Sequence, residues 1–180
     1  KKIVKGLNSI LRDIESQKFT FDPDAEDIHT NIGHLLRQKI GNAADRLHTA
    51  RSRNDLIVLN MKMYVKETIG LIMNLLTAAE KSILNFANKN IDVIIPAYTH
   101  LQPAQAILLA HQMLAYIEML ERDNMRLADC KKAADTMPLG ACALSGTSLP
   151  IDRFYVARQL GFSKVTQNSI DSVADRDFIL

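Results

Sequence analysis

The chain has 180 residues, 47% of them hydrophobic and 23% charged, which is enough to bury a sizeable core within one ordinary soluble domain. Its 22 basic and 20 acidic residues leave a net charge of +2, and the scatter of the basic residues excludes the concentrated patch that a nucleic-acid footprint needs. With 6% aromatics, no tryptophan, 7 glycines and 5 prolines, the composition suits long helices better than many short strands and turns.

Two cysteines, Cys130 and Cys142, fit neither a metal-ligand spacing nor a disulfide framework, so reduced structural thiols are expected, with no metal and no cofactor. No run of about 18 apolar residues appears and residues 1–11 lack signal-peptide architecture, so a cytoplasmic protein is expected, with no membrane and no nucleic acid among its partners.

Residues 3–15 carry Ile3, Val4, Leu7, Ile10, Leu11 and Ile14 at helical spacing with no visible cap, and residues 18–24 connect onward. A second helix is expected from Ala25, opening with the acids Glu26 and Asp27 and stopping at Gly41 Asn42. The most polar stretch follows, Leu47 His48 Thr49 Ala50 Arg51 Ser52 Arg53 Asn54 Asp55. It runs into an apolar pattern over 56–90 through Leu59, Met63, Ile69, Ile72, Leu76, Ile83 and Phe86, which predicts a helix of about 35 residues and roughly 50 Å. Apolar character wraps most of its circumference near Leu71 Ile72 Met73, so a neighbouring helix, from this chain or another, is implied.

Pro96 Ala97 Tyr98 Thr99 His100 Leu101 Gln102 Pro103 sets a hydroxyl, an imidazole and an amide between two prolines. Read locally, Pro103 takes the first position of a helix running over 104–135, and the cluster lies at its N-terminus, where free N–H groups and the dipole favour a carboxylate. His100 then caps the helix or fills a corner of the core or, with its reference pKa near neutrality, exchanges a proton. Met61, Met63, Met73, Met113, Met119 and Met125 read as gap-filling core rather than a ligand set. Residues 137–150 form a small, glycine-punctuated loop without the lysine or strand of a phosphate-binding fingerprint. A short helix over 150–160 has Asp152 in its first turn and Gly161 as its stop, and another begins at Asn168 and continues to the last residue.

Five strings, EDIHTNI at 26–32, LHTARSRND at 47–55, YTHLQPAQ at 98–105, PLGACALSGTSLPIDR at 138–153 and NSIDSVADRDF at 168–178, resemble the argininosuccinate lyase family of the fumarase/aspartase superfamily, with delta crystallin a relative. The resemblance covers almost all of the chain from Glu26 onward. It implies an all-α, long-helix bundle, the central domain of that superfamily, whose helices assemble four subunits with each active site built from three chains. It also implies β-elimination of argininosuccinate to arginine and fumarate. On matching positions His100 is one half of the acid/base pair, Thr99 binds the succinate end, and Asn54 binds substrate. Arg53 and Arg51 are carboxylate or structural anchors, since a guanidinium fork suits a carboxylate. Gln102 joins the substrate-binding set, and Asp27 and His29 stand at one remove from the substrate. Surface ion pairing remains the local alternative for Arg51 and Arg53, and helix capping for Asn54.

Gly33 stands where the family usually has an acid, and Cys142 where a glycine is usual. The loop of the type GSSxMPxKxN, whose serine is the other acid/base partner, is missing from these residues, as is an N-terminal segment that contributes substrate contacts. The expectation is therefore a fragment, inactive alone: 1–24 a partial N-terminal helix and connection, and 25–180 the central helical domain carrying the motif segments, truncated at its C-terminal end. The alternatives are a crystallin-like structural or assembly module and a related lyase acting on another succinyl substrate.

Overall fold

The computed structural model describes residues 1–179, mostly helical, in two compact units that divide between Ser52 and Arg53. In the first unit α1 (Lys2–Glu15) packs on α2 (Ile28–Ile40), and a 3-10 turn follows at Gly41–His48. Ile10, Leu36 and Ala44 form its core. The two helices approach closely at Gly6, where a Cβ would lie 2.5 Å from the Leu36 side chain. The acids expected inside the second helix precede it instead. Asp27 is its N-cap, accepting a hydrogen bond from the Thr30 N–H at 2.8 Å, which satisfies one of the donors a helix start leaves open.

The second unit is organised on α3 (Arg53–Lys89), whose 37 residues make a rod of about 54 Å. A hairpin of β1 (Ile94–Thr99) and β2 (Gln102–Leu108) leads into α4 (Leu109–Ala134), which returns antiparallel along α3, with Lys66 meeting Asp135 and Gly70 facing Lys131. The helix entrance expected at Pro103 is therefore corrected. Pro103 lies in β2 opposite Tyr98, and α4 starts only at Leu109. Both prolines are tolerated because each strand is an edge, and the register shifts between Pro96 and Tyr98.

With 26 residues, α4 is shorter than α3, and the first turns of α3 are covered by the C-terminal segments instead. These are β3 (Thr136–Met137), α5 (Arg153–Gln159), β4 (Lys164–Val165) parallel to β3, α6 (Ser169–Ala174) and a 3-10 turn at Asp177–Ile179. Asp152 is the N-cap of α5 rather than part of its first turn, and Asn168 caps α6, which stops at Ala174 where a continuing helix was expected. Leu59, Met137, Leu139, Ala157, Phe162 and Val165 form one core cluster, and Val58, Ala134 and Phe178 another. Lys62 is buried between them, 2.9 Å from Asp175 and over the Phe178 ring. A buried ammonium is tolerable there only because it is paired.

Helix α4 covers one side of α3, as the apolar circumference requires, yet Leu71 and Leu75 on α3 and Met119 and Met125 on α4 stay exposed. Among the described residues, no helix is long and apolar enough to cross a membrane.

Candidate functional site

The polar run at 47–55 ends in the opening turn of α3, which holds Arg53, Asn54 and Asp55. Asn54 and Asp55 are consecutive there, so their side chains leave the helix about 100° apart, and both reach the glycine loop after β3. The Asp55 carboxylate is fully buried and accepts the N–H groups of Gly140 at 3.1 Å and Cys142 at 2.8 Å. Asn54 Nδ2 donates to the carbonyl of Ala143 at 2.8 Å. From the opposite side Arg153 donates Nε to the Leu139 carbonyl at 2.7 Å and its Nη atoms to the Thr166 carbonyl and hydroxyl at 3.0 and 2.8 Å.

Gly140 is fixed by this arrangement. Its φ is +91°, and a Cβ would lie 2.8 Å from Arg153 Cδ, so both the backbone and the space exclude a side chain. Burial lowers the Arg153 pKa from its ordinary value, while the nearby Asp55 charge raises it. Burial, with Asp55 adding to it and Arg153 opposing it, pushes the Cys142 thiol up. That thiol stays protonated and unreactive near neutrality.

The second polar cluster is at the hairpin tip. Thr99 pairs with Gln102, and His100 and Leu101 form the two-residue loop between them with φ of +50° and +63°. Two left-handed residues in succession are the geometry of a tight hairpin turn that follows the twist of its strands. Thr99, His100 and Gln102 are exposed, and Leu101 is 92% exposed at the apex. His100 therefore neither caps a helix nor fills a core corner. It also precedes α4 by the whole of β2, so the α4 dipole that was expected to favour a carboxylate beside it is absent.

The two clusters cannot meet within one chain. The hairpin springs from the far end of α3, about 54 Å from Asn54, and strands of about 20 Å could not return His100 to it even if folded back. In the first unit Asp27 spends a carboxylate oxygen on its cap, His29 is half-buried in the first turn of α2, and Arg51 follows the 3-10 turn, exposed. A cleft of about 590 Å³ lined by Lys62, Thr136, Phe154, Thr166, Asn168 and Asp175 touches the string at 168–178 but contains none of the candidate site residues. Among the described residues no group of three or more His, Cys, Asp or Glu side chains could hold a metal ion.

Sequence reasoning passed over Asp55 and Arg153, although both lie in the strings that carry the resemblance. The available signal was a charged residue opening an apolar helix and another closing a glycine-rich loop, positions where a buried charge needs backbone partners.

Residues 1–180 match the family model described as Lyase. The argininosuccinate lyase of Moorella thermoacetica is 51% identical over 178 residues, which cover 99% of this chain and 38% of that protein. That of Geotalea daltonii is 54% identical over 179 residues, covering 99% and 39%. The chain thus spans under two fifths of the length of these curated relatives. Among solved structures, EDDS lyase in complex with formate superposes with a TM-score of 0.86 at 26% identity, over 99% of this chain and 35% of that one. The fumarate lyase:delta crystallin of Brucella melitensis, at 19% identity and a TM-score of 0.77 over 96% and 43%, shares the fold. The chain belongs to the lyase family, in the fumarase/aspartase superfamily.

Proposed function

We propose that this chain is the central part of an argininosuccinate lyase, which cleaves argininosuccinate reversibly into arginine and fumarate in arginine biosynthesis. The observation that carries the reading is the identity of about half, across 99% of the chain, to relatives named for that reaction. EDDS lyase structures with bound formate and fumarate support a small carboxylate as the ligand class.

In the elimination a base removes a proton from the carbon next to a carboxylate of the succinyl moiety. The electron pair is delocalised into that carboxylate, then forms the double bond of fumarate as the C–N bond breaks and the departing guanidino nitrogen takes a proton from an acid. The intermediate is stabilised by donors and positive charge already aimed at the carboxylate oxygens. His100 serves as one acid/base partner, and Thr99 and Gln102 hold the succinate end from the same hairpin tip. At the α3 start Asn54 binds substrate and Arg53 anchors a carboxylate; in the first unit Arg51, Asp27 and His29 are further substrate-binding residues. Since α3 separates His100 from Asn54, a working site takes them from different copies, and the exposed apolar stripes of α3 and α4 suit a homotetrameric bundle. A cytoplasmic location fits a soluble biosynthetic enzyme.

The test uses the polypeptide that carries this chain at its relatives' full length. Given argininosuccinate, it is expected to release fumarate, read by ultraviolet absorbance, and His100→Asn is expected to cut kcat by about 100-fold or more. A folded wild type that releases none overturns the reading in favour of a structural module or a lyase for another succinyl substrate.

A further inference from the structure

We propose that Asp55 is a positioning residue that acts through Asn54: with Arg153 it clamps the glycine loop whose Ala143 carbonyl fixes the Asn54 amide. This rests on the lyase reading for the role of Asn54, and otherwise on contacts within the second unit.

Asn54 is exposed and opens a helix, a position where a side-chain amide ordinarily samples several rotamers. Here one Nδ2 hydrogen is committed to the Ala143 carbonyl at 2.8 Å, which sets the amide plane and so the directions of Oδ1 and the second N–H. The acceptor belongs to a loop, and a loop carbonyl positions a side chain only as well as the loop itself is held. The preceding peptide is held by Asp55, whose Oδ2 takes both the Gly140 and Cys142 N–H groups, a charge-assisted pair made to a fully buried carboxylate. Arg153 holds the other side of the same segment through the Leu139 carbonyl.

The loop conformation is costly enough to need such holding. Gly140 and Cys142 have φ of +91° and +54°, and the latter is a left-handed conformation that side chains other than glycine adopt only under constraint. With the neutral amide of Asn in place of the carboxylate, the two N–H groups lose their charged shared acceptor and the loop relaxes, taking the Ala143 carbonyl with it. A displacement of about 1 Å in a substrate-positioning group can cost on the order of 100-fold in rate. Asp55 itself is buried beneath the loop, so its effect on turnover is transmitted rather than direct.

The experiment is a double-mutant cycle in the polypeptide of the relatives' full length, with kcat and KM for argininosuccinate measured for Asp55→Asn, Asn54→Ala and the pair. Asp55→Asn is expected to lower kcat/KM by about 10- to 100-fold. In the Asn54→Ala background the same change is expected to have less than about a twofold further effect, because what it positions is already gone. Effects that multiply, or an Asp55→Asn protein with wild-type kinetics, overturn the proposal. Should Asp55→Asn fail to fold, Arg153→Lys loosens the same loop from the opposite side and is expected to show the same non-additivity with Asn54→Ala. Amide hydrogen exchange supplies a readout that needs no turnover. Asp55→Asn is expected to speed exchange at Gly140 and Cys142, and unchanged protection there overturns the clamp. A wild type without turnover instead defeats the lyase reading, leaving exchange to decide whether Asp55 holds the loop.

Discussion

Cys142 holds a left-handed φ of +54° in a segment gripped on both sides, with its thiol half-buried and pushed toward the protonated form. A left-handed conformation costs a residue with a Cβ about 1–2 kcal/mol, part of which glycine returns through its larger unfolded-state entropy. Cys142→Gly is therefore expected to raise unfolding free energy by about 0.5–1 kcal/mol, read as a higher urea midpoint, and a lower midpoint would show that thiol packing outweighs the backbone. At this scale the sequence displayed its exposed polar residues well. Asn54 stood out as part of the most polar stretch of the chain, and Thr99, His100 and Gln102 as a polar cluster between two prolines. Asp55 stayed hidden because its partners, the N–H groups of Gly140 and Cys142, lie 85 and 87 residues away, and backbone donors leave no mark in composition.

Elements were legible where one period dominates. The apolar repeat fixed α3 to within a few residues, 53–89 against an expected 56–90, because burial along a rod enforces the same spacing for ten turns. The hairpin was not legible. A two-residue turn is ordinarily marked by Asn-Gly or Asp-Gly, and His100 Leu101 carries neither, while Pro96 and Pro103 argue locally against strands. Another feature of this scale is a clamp where α3, the end of α4 and the turn after α5 meet. Lys66 donates to the Asp135 carboxylate and to the Gly161 carbonyl at 2.7 Å, and lies over the Phe162 ring. Burial pushes the Asp135 carboxyl up, but hydrogen bonds from Lys66 and Ser163 and the Lys66 charge hold it, on balance, below its ordinary 3.8. The unfolded chain then binds that proton more tightly, so the stabilisation is full above about pH 5 and fades as pH falls through 3.8 and the depressed value. Asp135→Asn is expected to lower unfolding free energy by about 1 kcal/mol at pH 7 and by less at pH 3. Urea titrations at the two pH values check this, and an equal loss at both would remove the clamp from the acid response.

For the whole molecule the decisive quantity is the length of α3. Composition and periodicity announced a long helix that needs a neighbour, from this chain or another, and the exposed Leu71, Leu75, Met119 and Met125 show where burial is incomplete. Sequence spacing could not show that the strings around Asn54 and His100 lie at opposite ends of a rod about 54 Å long, since spacing alone does not fix where the chain turns back. If each site draws Asn54 from one copy and His100 from another, hybrids are informative. Unfolding and refolding an equal mixture of full-length Asn54→Ala and His100→Asn subunits is expected to restore about a quarter of the sites, as random drawing of two copies gives. Mixed assemblies as silent as either parent would mean that one copy supplies both residues. If sites are shared between copies, the same rod also sets how catalysis responds to the amount of protein. A site that exists only between copies appears with the assembly rather than with the folded monomer, so at low concentration the rate rises faster than in proportion to the protein present. Expression level then acts on such an enzyme as a threshold as well as a multiplier.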